Sequence, residues 1–120
     1  MDKPVAIYKG EDEQLFDGEQ LAAMAPVAIE FRDIGVNCAS LVPGGALDLG
    51  VHDDKLEVVT PVALGETEGP IVRYTDDEGG YDIELASYDS IVIPRGVSHR
   101  AYNLCDCTVA LFITNFSYED

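Results

Sequence analysis

Basic side chains are scarce. Seven lysines and arginines stand against 23 aspartates and glutamates in 120 residues, a formal net charge of −16. A surface of that sign repels phosphate backbones and anionic headgroups, so neither nucleic acid nor membrane is expected as a partner. Lys3, Lys9, Arg32, Lys55, Arg73, Arg95 and Arg100 are too scattered to form a local basic patch. No apolar run approaches the roughly 18 residues of a membrane-spanning helix. Cysteine is limited to Cys38, Cys105 and Cys107, an odd number that argues against the even disulfide framework of an oxidising compartment. The stretch MDKPVAIYKGEDE lacks the apolar core and small-residue cleavage site of a secretory signal, and a cytoplasmic location is expected. Helical periodicity is confined to DGEQLAAM, residues 17–24, which is short and ends before Pro26.

The remainder is strand-like. Hydrophobic residues make up 47% and charged residues 25%, the balance of a folded globule, and a chain of this length holds one domain that buries about 65% of its unfolded surface. Segments 27–34, 36–42, 57–64, 71–75, 81–87, 90–93, 99–103 and 108–116 are rich in β-branched and aromatic residues. Turn formers separate them at Pro43-Gly44-Gly45, Gly65, residues 76–80, Tyr88-Asp89 and Pro94-Arg95-Gly96. Short strands without interleaved helices predict an antiparallel sandwich or barrel over residues 26–116, preceded by an N-terminal arm, residues 1–25, with room for one short helix. In TVALFITNF, Val109, Leu111 and Ile113 alternate with Ala110 and Phe112, so both faces are apolar. Such a strand is expected to be covered on both sides, by a second sheet or by a second subunit, and a homodimer is the expected assembly.

Histidine occurs only at positions 52 and 99. His99 lies in PRGVSHRAYN, residues 94–103, and this segment resembles the second motif of the cupin superfamily, GxxxxxPxGxxHxxxN. Pro94, Gly96, His99 and Asn103 match, while Tyr88 stands in the place of the leading glycine. The first cupin motif, GxxxxxHxHxxx(x)ExxxxxxG, is similar to the segment from Pro43 to Gly65: Gly44 leads, Gly50 replaces the first histidine, and His52 and Glu57 match. Gly65 closes the segment one residue late, which a bulge at Pro61 would explain. The two segments cover about half of the chain.

The resemblance implies an all-β, cupin-type jelly-roll barrel with His52, Glu57 and His99 as metal ligands. Two imidazoles and one carboxylate are the donors of a facial triad that holds iron(II) with open positions, and zinc, nickel or manganese are the alternatives. Ring-cleaving cupin dioxygenases acting on homogentisate and 3-hydroxyanthranilate resemble this ligand set, so a dioxygenase-like oxidoreductase acting on a small organic molecule is implied. Two other readings stay open: a metal-dependent isomerase or lyase, and a non-catalytic small-molecule binder or sensor whose metal site has eroded at Gly50.

Each residue also has a plainer reading. His99 would then hydrogen-bond a neighbouring strand, His52 would be a solvated histidine among Asp48, Asp53 and Asp54, and Glu57 an exposed strand-end charge. For His52 and Glu57 to point inward together, residues 53–55 must form a turn. Alternation gives Phe31, Val59, Ala63, Ile83, Leu111 and Ile113 as pocket walls, with Phe31 and Leu111 as candidate substrate contacts. An anionic substrate in so acidic a chain would need a specific cation, for which Arg32 and Arg73 are the candidates. The CxC at Cys105 and Cys107 has soft-metal ligand types, but without a second Cys or His pair nearby it reads as two ordinary thiols entering a strand.

Overall fold

A computed structural model describes residues 4–8, 31–76 and 80–118, with the backbone alone for residues 31–34. The expected helix at 17–24 and the start of the expected strand at 27 lie outside the described residues, as does the expected barrel boundary at 26. Every regular element described is a strand: β1 (Val5–Ile7), β2 (Phe31–Leu41), β3 (Ala46–Gly50), β4 (Lys55–Ala63), β5 (Val72–Thr75), β6 (Asp82–Leu85), β7 (Ser90–Ile93), β8 (His99–Asn103) and β9 (Val109–Tyr118). They form two antiparallel sheets, β1-β7-β4-β9-β2 and β3-β8-β5-β6. Among the described residues no helix is long and apolar enough to cross a membrane.

The core lies between the sheets and follows from period-two alternation. In β5, Val72 and Tyr74 are buried while Arg73 between them is exposed. In β8, His99, Ala101 and Asn103 are buried while Arg100 faces water. Leu41, Val59, Ile71, Leu85, Ile91, Ile93, Val109, Leu111 and Ile113 fill the space between the sheets. Each such aliphatic side chain contributes about 1.5–3 kcal/mol by leaving water.

Several local expectations change. Segments 31–34 and 36–41 are one strand that runs through Gly35. Strands β1 and β3 were not expected: β1 has three residues and takes its place by pairing with β7, and β3 has five residues ending in a glycine. The bulge expected at Pro61 is absent, since β4 keeps register with β9 through Pro61 and Leu111. Proline fits there because β7 pairs with β4 only from Glu57 to Val59, and beyond that point the Pro61 carbonyl alone is used, accepting from the Tyr88 amide at 2.9 Å. The irregularity sits instead in β3, between Asp48 and Gly50.

Strand β9 lies between β4 and β2, with Val109, Leu111 and Ile113 in the core. Its other face is mixed: Ala110 is buried, but Phe112 is 47% exposed. Neighbouring Val36 on the same outer face, opposite Thr114, is 74% exposed.

Candidate metal centre

The turn from β2 to β3 starts the site. The Gly45 amide donates to the Val42 carbonyl at 2.9 Å, with Pro43 and Gly44 (φ 71°) in the two central positions, the residue order of a type II turn. Strand β3 then runs along β8 until Gly50, which is paired with His99 across the register shift. Gly50 has φ 77° and its amide donates to Asp48 Oδ1 at 2.9 Å. Gly50 ends the strand in the left-handed region, and among the described residues a β-carbon at this position would meet nothing within 4 Å.

His52 follows in the loop to β4. Its carbonyl accepts a hydrogen bond from the Gly96 amide at 2.8 Å, so the Pro94-Arg95-Gly96 turn fixes the backbone that carries His52. The chain bends at Asp53 and Asp54, and β4 begins at Lys55. This bend brings Glu57, which points between the sheets, back to His52.

The two histidines flank one carboxylate. His52 Nε2 is 2.8 Å from Glu57 Oε1, and His99 Nε2 is 3.4 Å from Glu57 Oε2. The ring centroids are 6.1 Å apart with planes at 61°. Burial is uneven: the side chains of His99 and Glu57 are 1% and 5% exposed, that of His52 is 33% exposed. His52 therefore marks the solvent side. Lys55 Nζ stands 4.0 Å from Glu57 Oε1 at the same mouth.

At 3.4 Å the His99 Nε2 contact is an ion pair at the long limit of a hydrogen bond, and among the described residues Nδ1 of this buried histidine has no partner. Burial alone would raise the Glu57 pKa, but His99, then His52 and Lys55, outweigh it and hold the carboxyl below its ordinary value. A buried carboxylate with two imidazoles is a donor set suited to a divalent ion. Among the described residues, however, no three His, Cys, Asp or Glu side chains are disposed as ligands around a common point. The carboxylate itself fills the middle, with one oxygen turned to each ring.

Asn103 closes the far end of β8. Its Nδ2 donates to the carbonyls of Leu41 (3.0 Å), Val42 (3.0 Å) and Cys107 (2.8 Å), and its Oδ1 accepts from the Cys105 amide at 2.9 Å. It joins β8 to the β2–β3 turn and has no free valence for chemistry. Tyr88, in the place of the motif's leading glycine, keeps a left-handed backbone at φ 72°.

Arg73 is turned away from the core. It makes two hydrogen bonds to Asp82, at 2.8 and 2.7 Å, on the outer face of the β5–β6 pair, and this pairing holds its charge outside. Leu111 is fully buried core, packed with Val59 and Ile113, and Ala63 and Ile83 are partly buried against the same cluster. The side chains of Phe31 and Arg32 lie outside the described residues; the β2–β9 register shifts at Arg32.

Two inward polar residues escaped the sequence reading. Asn115 is directly opposite Glu57 on β9 and shares its face, and its buried Oδ1 has no partner among the described residues. Its signal was an amide in phase with Val109, Leu111 and Ile113. Tyr74 is paired with Ala101, two residues along β8 from His99. Its buried hydroxyl has no partner among the described residues, and burial pushes its pKa far above the usual range.

No protein-family model and no curated protein matches the chain. Solved structures do. A conserved protein with a double-stranded β-helix domain from Klebsiella pneumoniae subsp. pneumoniae is 18% identical with a TM-score of 0.60, over 75% of this chain and 72% of that one. A Cupin 2 conserved barrel domain protein from Salinispora arenicola is 16% identical with a TM-score of 0.55, over 70% and 63%. Oxalate oxidase in complex with the substrate analogue glycolate is 16% identical with a TM-score of 0.58, over 97% of this chain and 52% of that one, so this chain spans about half its length. The chain has the double-stranded β-helix, or cupin, fold of these proteins.

Proposed function

We propose that this cupin domain binds one divalent metal ion through His52, Glu57 and His99 and acts on a small organic molecule in an oxygen-dependent reaction. The observation that carries the reading is His99: a fully buried imidazole whose Nδ1 has no partner among the described residues and whose Nε2 has only a 3.4 Å ion pair with a buried carboxylate, the other oxygen of which meets a second imidazole. Leaving such groups without partners costs about 1–3 kcal/mol each, which a bound ion would offset. Iron(II) is the first candidate, with zinc, nickel and manganese next; when bound, iron would supply open positions for substrate and dioxygen.

The chain's own contributions are specific. The two sheets hold His99 and Glu57 in a dry interior, and core packing excludes water from that side. Glu57 stays ionised near neutral pH, because its pKa is held low. His52, one-third exposed, is the group that solvent and an incoming ligand reach first. Tyr74 and Asn115 offer buried polar atoms on the inner faces of the two sheets. Oxalate oxidase was solved with glycolate, so small hydroxy acids join catechols and hydroxybenzoates as compounds to try.

A second reading has its own support. His52 and Glu57 satisfy each other at 2.8 Å without an ion, and the position of the family's first histidine is glycine, as in a small-molecule-binding domain with an eroded site. Metal content separates the two. Stoichiometric metal in the purified chain, lost in His52→Ala and in His99→Ala, supports the enzyme; no metal after anaerobic ferrous loading removes it. Oxygen uptake with the compound panel then tests the reaction class. We also propose a homodimer through the outer face of the five-stranded sheet, where Val36 and Phe112 are exposed; sedimentation velocity on the full chain reads it.

A further inference from the structure

The loop between β8 and β9 carries two thiols that the metal centre does not use. Cys105 Sγ and Cys107 Sγ are 3.2 Å apart, closer than two sulfurs in ordinary contact. Asn103 holds them there: its Oδ1 takes the Cys105 amide at 2.9 Å, its Nδ2 gives to the Cys107 carbonyl at 2.8 Å, and Cys105 Sγ is 3.2 Å from the same Oδ1. On the other side Gly65 leaves room, since a β-carbon there would stand 3.0 Å from Cys107 Cβ. Among the described residues no third His, Cys, Asp or Glu joins the two sulfurs in a metal-holding group. The geometry leaves them to react with each other.

Cys105 and Cys107 both line a cavity of about 440 Å³ with Glu66, Glu68, Asp106 and Leu104; Cys105 also packs against the edge of the core. Three carboxylates around a dithiol favour a cationic reactant over an anionic one. We propose that Cys105 and Cys107 are a reversible dithiol–disulfide site that exchanges with small cationic disulfides. One protein thiolate attacks a sulfur of the small disulfide, forming a mixed disulfide and releasing one small thiolate. The neighbouring thiol gives its proton to solvent and attacks the protein sulfur, and the second small thiol leaves. Two protein thiols are oxidised by two electrons and the small disulfide is reduced to two thiols, so no other oxidant is needed. Closure brings the sulfurs from 3.2 Å to the ~2.05 Å of a disulfide. The loop is already curled in the reduced form, so little chain ordering remains to oppose it.

The test uses the full chain. Trypsin cuts after Arg100, which places Cys105 and Cys107 in one peptide, residues 101–120, without Cys38. After treatment with cystamine, that peptide is expected to lose two hydrogens and keep no cysteamine adduct, and dithiothreitol should restore it. In Cys105→Ser a stable adduct on Cys107 is expected, because the second attack is lost. Stable adducts on both residues of the parent chain, or two unmodified thiols, would overturn the site. At low salt cystamine should react roughly 10-fold faster than dianionic dithiodiglycolate, with the gap closing in 0.5 M salt and in Glu66→Gln/Glu68→Gln. Equal rates at low salt overturn the assigned class of reactant.

Discussion

Glu57 of β4 and His99 of β8 belong to different sheets and meet at 3.4 Å across the interior. The pair lies 42 residues apart in sequence, so only the closed sandwich brings it together. This contact joins the architecture to the proposed chemistry, and the first prediction acts on it. Glu57→Gln keeps the volume and removes the charge. Its affinity for zinc or iron(II) is expected to fall by more than roughly 100-fold, beyond the range typical for loss of an outer partner. Anaerobic titration calorimetry measures this; an unchanged affinity would take Glu57 out of the ligand set.

Gly50→His restores a histidine at the position where the family's first motif has one. The backbone is left-handed, which costs a histidine about 1–2 kcal/mol, but its β-carbon meets no atom of the described residues within 4 Å. A modestly lower melting temperature with metal bound at least roughly tenfold more tightly is expected. Chemical denaturation and the same calorimetry read the two effects separately.

Asn103→Ala leaves three carbonyls and one amide without their side-chain partner. A loss of about 3 kcal/mol in unfolding free energy is expected from urea titration, with the slope unchanged.

Tyr88→Gly is expected to stabilise the protein by about 1 kcal/mol. Tyr88 is 65% exposed and adopts φ 72°, and glycine removes the left-handed penalty. A lower midpoint would mean that the ring contributes more than its exposure suggests.

Arg73→Ala is expected to leave metal stoichiometry unchanged, because its guanidinium faces Asp82 outside. The Asp82 pKa is held below the usual aspartate value first by the Arg73 hydrogen bond and also by its charge. A depressed carboxylate pKa contributes stability above the unfolded value, and that contribution disappears as pH falls through the folded one. In the variant the Asp82 pKa should rise to the ordinary range, followed by a carboxyl-detected NMR titration.

Much of this fold was readable because the cues were local. The PxGxxHxxxN spacing located β8 with its buried His99 and Asn103, and β-branched and aromatic residues in segments 71–75 and 81–87 marked the strands that become β5 and β6. Strand β3 was missed because ALDLG is five residues with only Leu47 and Leu49 in phase, and its partner β8 lies about fifty residues away. Long-range pairing leaves no trace in a short window. Arg73 was a candidate because so acidic a chain has few cations to meet an anionic substrate, but the alternation within VRYT puts it on the face opposite Val72 and Tyr74. Asn115 was within reach of the same counting and was passed over as part of an apolar run. The bulge was assigned to proline, the residue that most often breaks ladders, when the left-handed glycine of β3 makes it.

The Gly96 amide bound to the His52 carbonyl gives the two motif segments a shared hinge pin. A graft of the Pro94–Asn103 segment onto another sandwich would import His99 yet leave the other imidazole unanchored. Changes at the Pro94-Arg95-Gly96 turn should therefore be felt at His52, and natural variation in one segment should be tolerated only when the other shifts to match.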